Sequence, residues 1–423
     1  MGRQDMIRNM QYEVVVVGGG AAGVAAAVGA AQAGAKTILL ERNPYLGGEG
    51  VHAGINSFGG FYTRGENPIL VTGGVGALLR KELVRLGHPD TTVLSRGGNH
   101  MLTFDPEYMK LALDNLIQKS GAEYLYHCYV MGVKADHGRI IALECMDDEG
   151  RFWIEGENFV DASGESVISH ICRLEVLIGD GEGKRQVATL AMRLSGVSPD
   201  IEITRASLEK AIKQGKEAGI PYLSKERGGI MRRGRSSVAV LLLASYAHQD
   251  LSCKTLTEAE VLTRRQARSY VEALQRFHPG MEHICLIGTG PNIGIREGRR
   301  TRGEKLLTGE DVWNLKKFPD GVARCGWSPE IHTSTQVLDT YEKLPDYGWF
   351  HIPVGALKAK EIQNLWCGGR TISTDSIAYG AVRVMGCGFA TGHAAGVAAA
   401  ISKGGIYNTG KIQQELLRQG AII

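Results

Sequence analysis

The fold is decided by residues 12–23, which read YEVVVVGGGAAG. The apolar, β-branched start of this stretch has no polar alternation, which predicts a parallel strand buried on both faces of a sheet. The alanine-rich residues 22–33 predict a helix, and Gly34 stands where a glycine commonly ends one. The apolar residues 37–40 predict a second strand. Together these segments predict a β-α-β unit.

The glycines of this stretch have the spacing G-x-G-x-x-G at the end of the first strand. In such a motif the glycines allow a tight turn, let a pyrophosphate approach the backbone and let helix and strand pack closely, beside free N–H groups at the helix start. Glu41 follows the second strand, where an acid accepts hydrogen bonds from ribose hydroxyls and disfavours a 2′-phosphate. A glycine-rich turn without a ligand is the alternative. The complete unit favours a dinucleotide site formed by Gly18, Gly20, Ala21, Ala22, Gly23 and Glu41.

The composition is that of a globular protein. The 423 residues are 43% hydrophobic and 22% charged, which excludes a disordered chain and predicts about two to three domains. Glycine is frequent, with 57 residues, but 12 prolines and the lack of a G-X-Y repeat exclude a collagen-like chain. The net charge of +3 gives no reason to expect DNA, RNA or an anionic membrane as a partner.

The cysteines and the first apolar stretch bear on location. The 8 cysteines form no C-x-x-C pair and no zinc-like spacing, so we expect isolated thiols of a reducing compartment and no metal site. Val14 to Ala35 is apolar enough to be mistaken for a signal peptide or a membrane span. The acid Glu13 and the glycine spacing argue against both. We expect a cytoplasmic protein that does not enter a membrane.

The residues after Glu41 favour one class of dinucleotide protein. Residues 42–48 read RNPYLGG, with a double glycine where an NAD domain would normally continue to its next strand. This pattern resembles FAD proteins with the glutathione-reductase-like fold. More narrowly, the chain resembles FAD-dependent oxidoreductases related to the flavoproteins of succinate dehydrogenase and fumarate reductase. In that branch, a stretch similar to residues 49–62 lies beside the isoalloxazine ring.

Two later motifs carry the same resemblance, which implies bound FAD. Residues 161–164, DASG, resemble a turn near the ribose and pyrophosphate, and an Asx-type turn is the alternative. Residues 379–396 open a predicted helix that runs to about Ser402 and resemble the superfamily's last motif, whose helix-start amides point at the flavin. The resemblance assigns to the cofactor, besides the residues above, Arg42, Gly47, Gly48, Glu49, Val130, Asp161, Gly164, Gly369, Arg383, Met385, Gly386, Cys387, Gly388 and Phe389.

The middle of the chain is less informative. Residues 238–243 predict a buried strand, and residues 255–277 predict a helix with charged faces. In the related proteins an insertion at this place forms a substrate domain. We therefore predict an α/β protein with a doubly wound, Rossmann-like FAD-binding domain, residues 1–184 and 346–423, into which a mixed α+β substrate domain, residues 185–345, is inserted.

An arginine-rich segment, residues 289–303, is similar to an element of the same branch. Arg296 and Arg300 are spaced i, i+4, so on a helix they would share a face and hold a carboxylate or phosphate. The alternative is a salt-bridge network between domains, in which Glu297 neutralises an arginine. The run has no interleaved aromatic residues and is a poor nucleic-acid surface.

The catalytic candidates are His52 and Tyr62, in the loop beside the expected flavin ring, together with Arg296 and Arg300. Each has an alternative as an ordinary surface or packed residue. Covalent flavin attachment at His52 is not expected, because its surroundings do not match the known motif. Cys387 has no C-x-x-C partner, so we expect a packing residue rather than a redox thiol. Further polar candidates are His332, His351 and Arg383.

A flavin carries redox chemistry, and the protein supplies orientation and acid or base groups. We expect an FAD-dependent oxidoreductase that transfers a hydride between a small organic substrate, anionic or neutral, and flavin N5. Two alternatives stay open: a flavin subunit that passes electrons to a partner protein, and a non-redox flavoenzyme such as an isomerase or hydratase. A nicotinamide or protein electron partner and a homo-oligomer also stay open.

Overall fold

The computed structural model describes residues 9–95, 98–232, 235–332 and 342–423. Within these ranges the strands are β1 (Asn9–Val17), β2 (Thr37–Leu40), β3 (Ser57–Phe58), β4 (Thr92–Leu94), β5 (His100–Thr103), β6 (Glu123–Leu125), β7 (Tyr129–Asp136), β8 (Arg139–Asp147), β9 (Gly150–Asp161), β10 (Val176–Ile178), β11 (Ala188–Ser195), β12 (Gly229–Arg232), β13 (Ala239–Tyr246), β14 (Cys285–Thr289), β15 (Arg299–Thr301), β16 (Gly321–Cys325), β17 (Phe350–Pro353) and β18 (Leu365–Cys367). The helices are α1 (Ala21–Gln32), α2 (Glu49–His52), α3 (Gly74–Arg85), α4 (Pro106–Ser120), α5 (Val167–Ile171), α6 (Arg205–Glu217), α7 (Cys253–Phe277), α8 (Gly309–Trp313), α9 (Ser376–Val382), α10 (Met385–Ile401) and α11 (Thr409–Arg418).

The largest sheet contains the predicted β-α-β unit. Its strands follow the order β6-β2-β1-β9-β8-β7, and β18 also pairs with β9. The pairs β2–β6, β1–β2, β1–β9 and β9–β18 are parallel, whereas β7, β8 and the first half of β9 form an antiparallel meander. The protein therefore has a mixed α/β fold built on a parallel sheet, as the sequence predicts.

Strand β1 is buried on both faces, which explains its unbroken apolar run. Val14 and Val16 point into a core shared with helices α1, α4 and α10, whereas Val15 and Val17 point into a second core on the opposite face. Successive side chains of a strand alternate between faces, so an apolar residue is needed at every position. After α1, Gly34 has a φ of +92°, the left-handed conformation that commonly follows a helix end.

The last motif is followed by the predicted helix. The sequence predicts that residues 379–396 open a helix running to about Ser402, and α10 ends at Ile401; the shorter α9 precedes it, separated at residues 383–384, and the two helices meet at an angle of 96°. Val384 packs against Gly60 at this bend, where a Cβ on Gly60 would lie 2.6 Å from the valine Cγ2. The break gives α10 an N-terminus of its own.

A second, antiparallel sheet follows the order β12-β13-β11-β14 and packs on helices α6 and α7 around its own core. That core spans Ala188 to Ile293, whereas Leu307, Phe318 and Leu344 pack into the core of the first sheet. The limits of the domains stay predictions. The packing of Leu307, Phe318 and Leu344 concerns the limit predicted at residue 345, because these three residues precede that limit and yet contact the core of the first sheet.

Two helices are apolar enough to raise the question of a membrane. Within the described residues, no single helix combines the length and apolar character of a membrane span. Helices α9 and α10 reach that length only jointly, across the sharp bend between them.

Candidate functional site

The three glycines of the first motif differ in the space around them. A Cβ on Gly18, whose φ is +99°, would lie 2.6 Å from the Ala162 carbonyl oxygen, and a Cβ on Gly23 would overlap the Gly18 carbonyl oxygen. Gly20 has a φ of −74°, and its Cβ would meet only the Gly48 Cα, at 3.7 Å. The first and last glycines are therefore required by packing, whereas the middle one borders open space of the kind a diphosphate needs.

Two further features border this space. The Glu41 carboxylate accepts hydrogen bonds from the Gly19 N–H at 2.6 Å and from the Asn43 N–H at 2.8 Å, and it is nearly buried. Gly48 has a φ of +49°, and a Cβ there would lie 2.8 Å from the Gly20 Cα. The acid and the double glycine predicted from the sequence thus flank the start of α1.

Helices α1 and α10 pack closely and run in the same direction. Side chains on Gly392 and Gly396 would overlap the carbonyl oxygens of Ala22 and Ala26 respectively, an equal step of four residues along both helices. Within the described residues, no side chain caps either N-terminus, so first-turn N–H groups and two positive dipole ends converge at one end. This end is formed by Ala21 and Ala22 of α1 and by Met385, Gly386, Cys387, Gly388 and Phe389 of α10.

The start of α10 is fixed against the glycine-rich loop for which the family resemblance implies a position beside the flavin ring. The Gly386 N–H donates to the Gly59 carbonyl oxygen at 2.8 Å, and Phe389 is fully buried. Cys387 is also fully buried, and a hydrogen bond to Cys325, together with burial, raises the pKa of its thiol. A protonated, enclosed thiol fits the predicted packing role rather than a redox role.

The DASG turn follows β9 directly. The Asp161 carboxylate is fully buried and accepts hydrogen bonds from the Ser163 N–H, the Ser163 hydroxyl and the Ile168 N–H, at 2.6–3.1 Å. These are local contacts, so the Asx-type turn describes this side chain. Gly164 has a φ of +80° and lies against Arg370, where a Cβ would be 2.5 Å from the guanidinium Nη2.

The resemblance assigns four other residues to the cofactor, and their surroundings differ. Arg42 is exposed, and Gly47 has a φ of +119°. Gly369 has a φ of +70°, and a Cβ there would lie 2.8 Å from the Ala22 Cβ. Val130 lies on β7 and packs against the core on the sheet face opposite α1.

Arg370 was not identified from the sequence, yet it connects two acids. Its Nη2 lies 3.3 Å from Glu49 and 3.2 Å from Glu165, across sequence separations of 321 and 205 residues. Burial raises the pKa of both carboxyl groups, and the arginine charge opposes that rise. Only their positions could have identified these residues from the sequence. Glu165 directly follows the DASG motif, and Arg370 directly follows the glycine pair after β18.

The two ring-side candidates have different surroundings. His52 Nδ1 lies 3.2 Å from the Tyr45 hydroxyl, and its buried Nε2 has no partner within the described residues. Burial and the charge of Arg42 lower the pKa of His52 to about 4, so the ring is neutral at pH 7. Tyr62 is half-buried beside Arg80, whose guanidinium carbon is 5.5 Å from the tyrosine ring centroid.

The arginine segment contains no helix within the described residues: Arg300 lies on strand β15 and Arg296 lies in the loop before it, so the two do not share a helix face. Arg300 is 2% exposed, forms an ion pair with the buried Glu297 and donates to the Gly179 carbonyl oxygen at 2.7 Å. The salt-bridge alternative therefore describes Arg300. Arg296 is half-buried, and its Nη1 donates to the Val187 carbonyl oxygen at 2.6 Å.

A cluster of charges lies where α9 ends. The Arg383 Nη2 is 3.0 Å from the Glu330 carbonyl oxygen and 3.6 Å from its carboxylate, and the His332 ring lies 3.4 Å from the same carboxyl group. Burial would raise the pKa of Glu330, but His332, Arg383 and Arg296 outweigh burial and lower it to about 2. Arg296, Glu330, His332 and Arg383 thus form one cluster of charged and polar side chains. Glu330 has no motif around it that would identify it from the sequence.

The residues present fit an extended dinucleotide that ends in a heteroaromatic ring. The open space at Gly20 and the uncapped start of α1 suit the phosphates. At the other end, around the loop 52–60 and the start of α10, buried polar atoms lack a partner within the described residues; they are His52 Nε2, Asn56 Oδ1, Trp327 Nε1 and Arg383 Nε. Buried polar atoms are normally hydrogen-bonded, and a ring with several nitrogen and oxygen atoms supplies such partners.

Comparison with known families gives one match along nearly the whole chain. The model of the family described as FAD dependent oxidoreductase matches residues 13–419. No curated protein matches the sequence.

Several solved structures resemble the fold. A geranylgeranyl bacteriochlorophyll reductase-like protein from Thermoplasma acidophilum is 14% identical with a TM-score of 0.48, over 97% of this chain and 83% of that one. The anhydrotetracycline hydroxylase OxyS from Streptomyces rimosus is 12% identical with a TM-score of 0.48, over 97% of this chain and 66% of that one. The flavin-dependent brominase Bmp2 is 13% identical with a TM-score of 0.47, over 92% and 79%. These likenesses carry no conclusion about a substrate.

Proposed function

This chain belongs to the family of FAD dependent oxidoreductases, so its cofactor is FAD, and we propose that it transfers a hydride between a small anionic organic substrate and flavin N5. Bound FAD supplies the two-electron chemistry. The chain supplies the binding, the orientation and the proton-exchanging groups. The narrower kinship with the flavoproteins of succinate dehydrogenase and fumarate reductase, and a cytoplasmic location, belong to this proposal as well.

We assign the phosphates of FAD to the start of α1, with Gly20 and Gly48 facing them and Glu41 beside the ribose. We assign the flavin ring to the start of α10, residues 385–389, against the loop 52–60. The positive end of a helix dipole stabilises negative charge on a reduced flavin, which is the role of this helix in the proposal.

The observation that carries the anionic substrate is the unsatisfied donor on Arg383. Arg383 Nε is buried without a partner in the described residues, two positions before the first residue of α10. The Nη2 of the same guanidinium lies 3.6 Å from the Glu330 carboxylate, whose lowered pKa keeps it ionised. A substrate carboxylate would accept a hydrogen bond from Nε and place the rest of the molecule next to the assigned ring position.

Two side chains on the ring-side loop differ in their suitability for proton transfer. His52, with its pKa lowered to about 4, stays neutral at pH 7 and is a weak base, so we assign it a hydrogen-bonding role. Burial raises the pKa of Glu49, which brings a carboxyl group closer to the working pH of an acid or base. We therefore assign proton exchange to Glu49, with Arg370 holding its carboxylate in place.

The test is anaerobic titration of the FAD-loaded protein with small hydroxy and carboxylic acids, followed through the flavin absorbance. A substrate should bleach the oxidised band, and Arg383→Met should raise the concentration for half-bleaching by about 10–100-fold, the loss of one charge-assisted hydrogen bond of about 1.5–3 kcal/mol. Arg276→Gln, on the exposed face of α7 beside Glu272, is the charge-matched control. Equal titrations of the parent and Arg383→Met would contradict the assignment. Bleaching of the flavin by NADH or NADPH would indicate that the protein works as a reductase that takes electrons from a nicotinamide.

A second candidate function is a flavin subunit of an electron-transfer complex. One observation favours it: Tyr129 and Met146 lie directly opposite each other on β7 and β8 and, with the nearby Met131, are 41–53% exposed. An exposed apolar patch is typical of a protein interface. Turnover by the isolated chain with a small acceptor would favour the enzyme, whereas reduction only in the presence of a co-purified protein would favour the subunit.

A further inference from the structure

A tyrosine and a histidine form a hydrogen-bonded pair across the double-glycine loop. The Tyr45 hydroxyl lies 3.2 Å from His52 Nδ1, and the two ring centroids are 6.2 Å apart. Tyr45 precedes Gly47 and Gly48, and His52 is the last residue of the short helix α2. Both rings are half-buried. Within the described residues the Tyr45 hydroxyl has no other hydrogen-bond partner, so the orientation of each ring depends on the other.

Both members of the pair are neutral at pH 7. Burial and the charge of Arg42 lower the pKa of His52 to about 4. Burial, Glu41 and Glu107 raise the pKa of Tyr45 above the ordinary value of a phenol, which is already ~10. The pair therefore consists of an imidazole with a single N–H group and a phenol that keeps its proton.

The hydrogen bond between the two rings determines which imidazole nitrogen carries that proton. A phenol hydroxyl is a good donor, and the unprotonated nitrogen of a neutral imidazole is a good acceptor. If Tyr45 donates to His52 Nδ1, the imidazole proton is on Nε2. A proton on Nδ1 would instead leave the tyrosine hydroxyl proton without an acceptor within the described residues. The pair therefore favours the Nε2–H tautomer of His52.

The Nε2 atom of His52 is buried and has no hydrogen-bond partner within the described residues. Buried polar groups are normally hydrogen-bonded, and an unsatisfied buried donor is unfavourable. His52 begins the loop 52–60, and in this loop the Gly59 carbonyl oxygen accepts from the Gly386 N–H at the start of α10. The missing acceptor is therefore expected on a ligand held at this place.

The neutral state of the donor distinguishes the two ends of FAD. A diphosphate is negatively charged and would favour a cationic partner, whereas burial and Arg42 disfavour the imidazolium form of His52. The oxidised isoalloxazine ring offers neutral acceptors, which are the carbonyl oxygens O2 and O4 and the nitrogens N1 and N5. These acceptors suit a neutral N–H donor.

We propose that Tyr45 is a positioning residue that holds His52 in its Nε2–H tautomer, and that this N–H donates to an acceptor atom of the flavin ring. The inference rests on the proposed function, because it requires FAD with its ring beside the loop 52–60. It adds Tyr45, which acts on the cofactor only through His52.

Nitrogen NMR of the FAD-loaded protein with ¹⁵N-labelled histidine tests the tautomer. The chain has 12 histidines, and the resonances of His52 are those that are missing in His52→Gln. We expect Nε2 of His52 to be protonated and Nδ1 to be unprotonated and hydrogen-bonded. In Tyr45→Phe the Nδ1 resonance should move toward that of a free imidazole nitrogen. A proton on Nδ1 in the parent protein, or an unchanged Nδ1 resonance in Tyr45→Phe, would overturn the proposal.

Two substitutions at His52 separate the donor from the rest of the ring. The side-chain amide of glutamine reaches the position of Nε2, whereas that of asparagine reaches only the position of Nδ1. His52→Gln should keep the Kd for FAD within about three-fold of the parent, and His52→Asn should raise it about ten-fold, the loss of one hydrogen bond. Tyr45→Phe should raise the Kd several-fold in the parent protein but not in His52→Gln. Equal Kd values for the parent and His52→Asn would overturn the proposal.

ADP is the second probe, because it has the adenosine and the diphosphate of FAD but no flavin. The Kd for ADP should be the same in the parent, His52→Asn and Tyr45→Phe. If the Kd for ADP rose as much as that for FAD, the proposal would be wrong, because His52 would then contact the phosphates. Tyr108→Phe, at an exposed position of α4, is the matched control and should leave both Kd values unchanged.

The FAD titration of the parent distinguishes this inference from the proposed function on which it rests. Failure of the parent to bind FAD would contradict both. Normal binding by the parent together with unchanged Kd values in His52→Asn and Tyr45→Phe would contradict this inference alone.

Discussion

Replacing Gly20 with valine should abolish FAD binding while leaving the fold intact. Gly20 has a φ of −74° and a ψ of −173°, an extended conformation open to valine, and its Cβ would be in ordinary contact with the Gly48 Cα at 3.7 Å. We therefore expect the free energy of unfolding to change by less than about 1 kcal/mol. Gly23→Ala, whose Cβ would overlap the Gly18 carbonyl oxygen, should instead destabilise the fold.

The expected loss of FAD affinity follows from the contacts that the new side chain would block. A hydrogen bond between an N–H group and a charged phosphate contributes about 1.5–3 kcal/mol. Loss of two such bonds at the start of α1 costs about 3–6 kcal/mol, a rise in Kd of about 100- to 10,000-fold.

The assay compares bound flavin per chain, the Kd from titration of the apoprotein with FAD, and denaturant unfolding of the apoprotein. Gly288→Val is the matched control, because a Cβ on Gly288 would have open space around it and the residue lies on β14, outside the assigned cofactor site. If the Gly20→Val variant bound FAD with the same Kd as the parent protein, the assignment of the FAD phosphates to the start of α1 would be wrong. Loss of FAD in Gly288→Val as well would mean that the effect is not local.

Three further outcomes are expected. Arg370→Ala leaves Glu165 without its partner and should lower the free energy of unfolding by about 3 kcal/mol. This loss should be smaller at acidic pH, because the raised pKa of Glu165 allows its carboxylate to be protonated. An unchanged denaturation curve would contradict this expectation. The pKa of His52 falls to about 4 on folding, so stability should decrease by about 1–3 kcal/mol as the pH drops from ~6.5 to ~4, and His52→Gln should flatten this part of the stability profile. Cys387 should resist iodoacetamide in the native protein while the exposed Cys253 reacts; early labelling of Cys387 would argue against its burial.

The parts of the fold that could be predicted are those that local sequence controls. The unbroken apolar run of β1, the helix α1 and the turn at Gly18 follow from short-range sterics, since Gly18 and Gly23 lie within six residues of each other. The long helix α7 was also predicted, because its apolar face repeats at helical spacing.

The parts that could not be predicted depend on residues far apart in the chain. Arg300 lies on strand β15, not on a helix; it pairs with Glu297 in the preceding loop, and its guanidinium also bonds to Gly179, 121 residues away. At the break before α10, Val384 packs against Gly60, which lies far earlier in the chain. A motif records neither kind of partner, so the sequence overestimated the accessibility of Arg300.

In the complex, FAD should extend from the start of α1 to the start of α10, which a crystal structure of the protein purified with FAD would show. We expect the pyrophosphate within hydrogen-bond distance of main-chain N–H groups at Gly20–Ala22 and the flavin ring against residues 385–389. A flavin bound elsewhere, or a pyrophosphate remote from Gly20, would contradict this expectation.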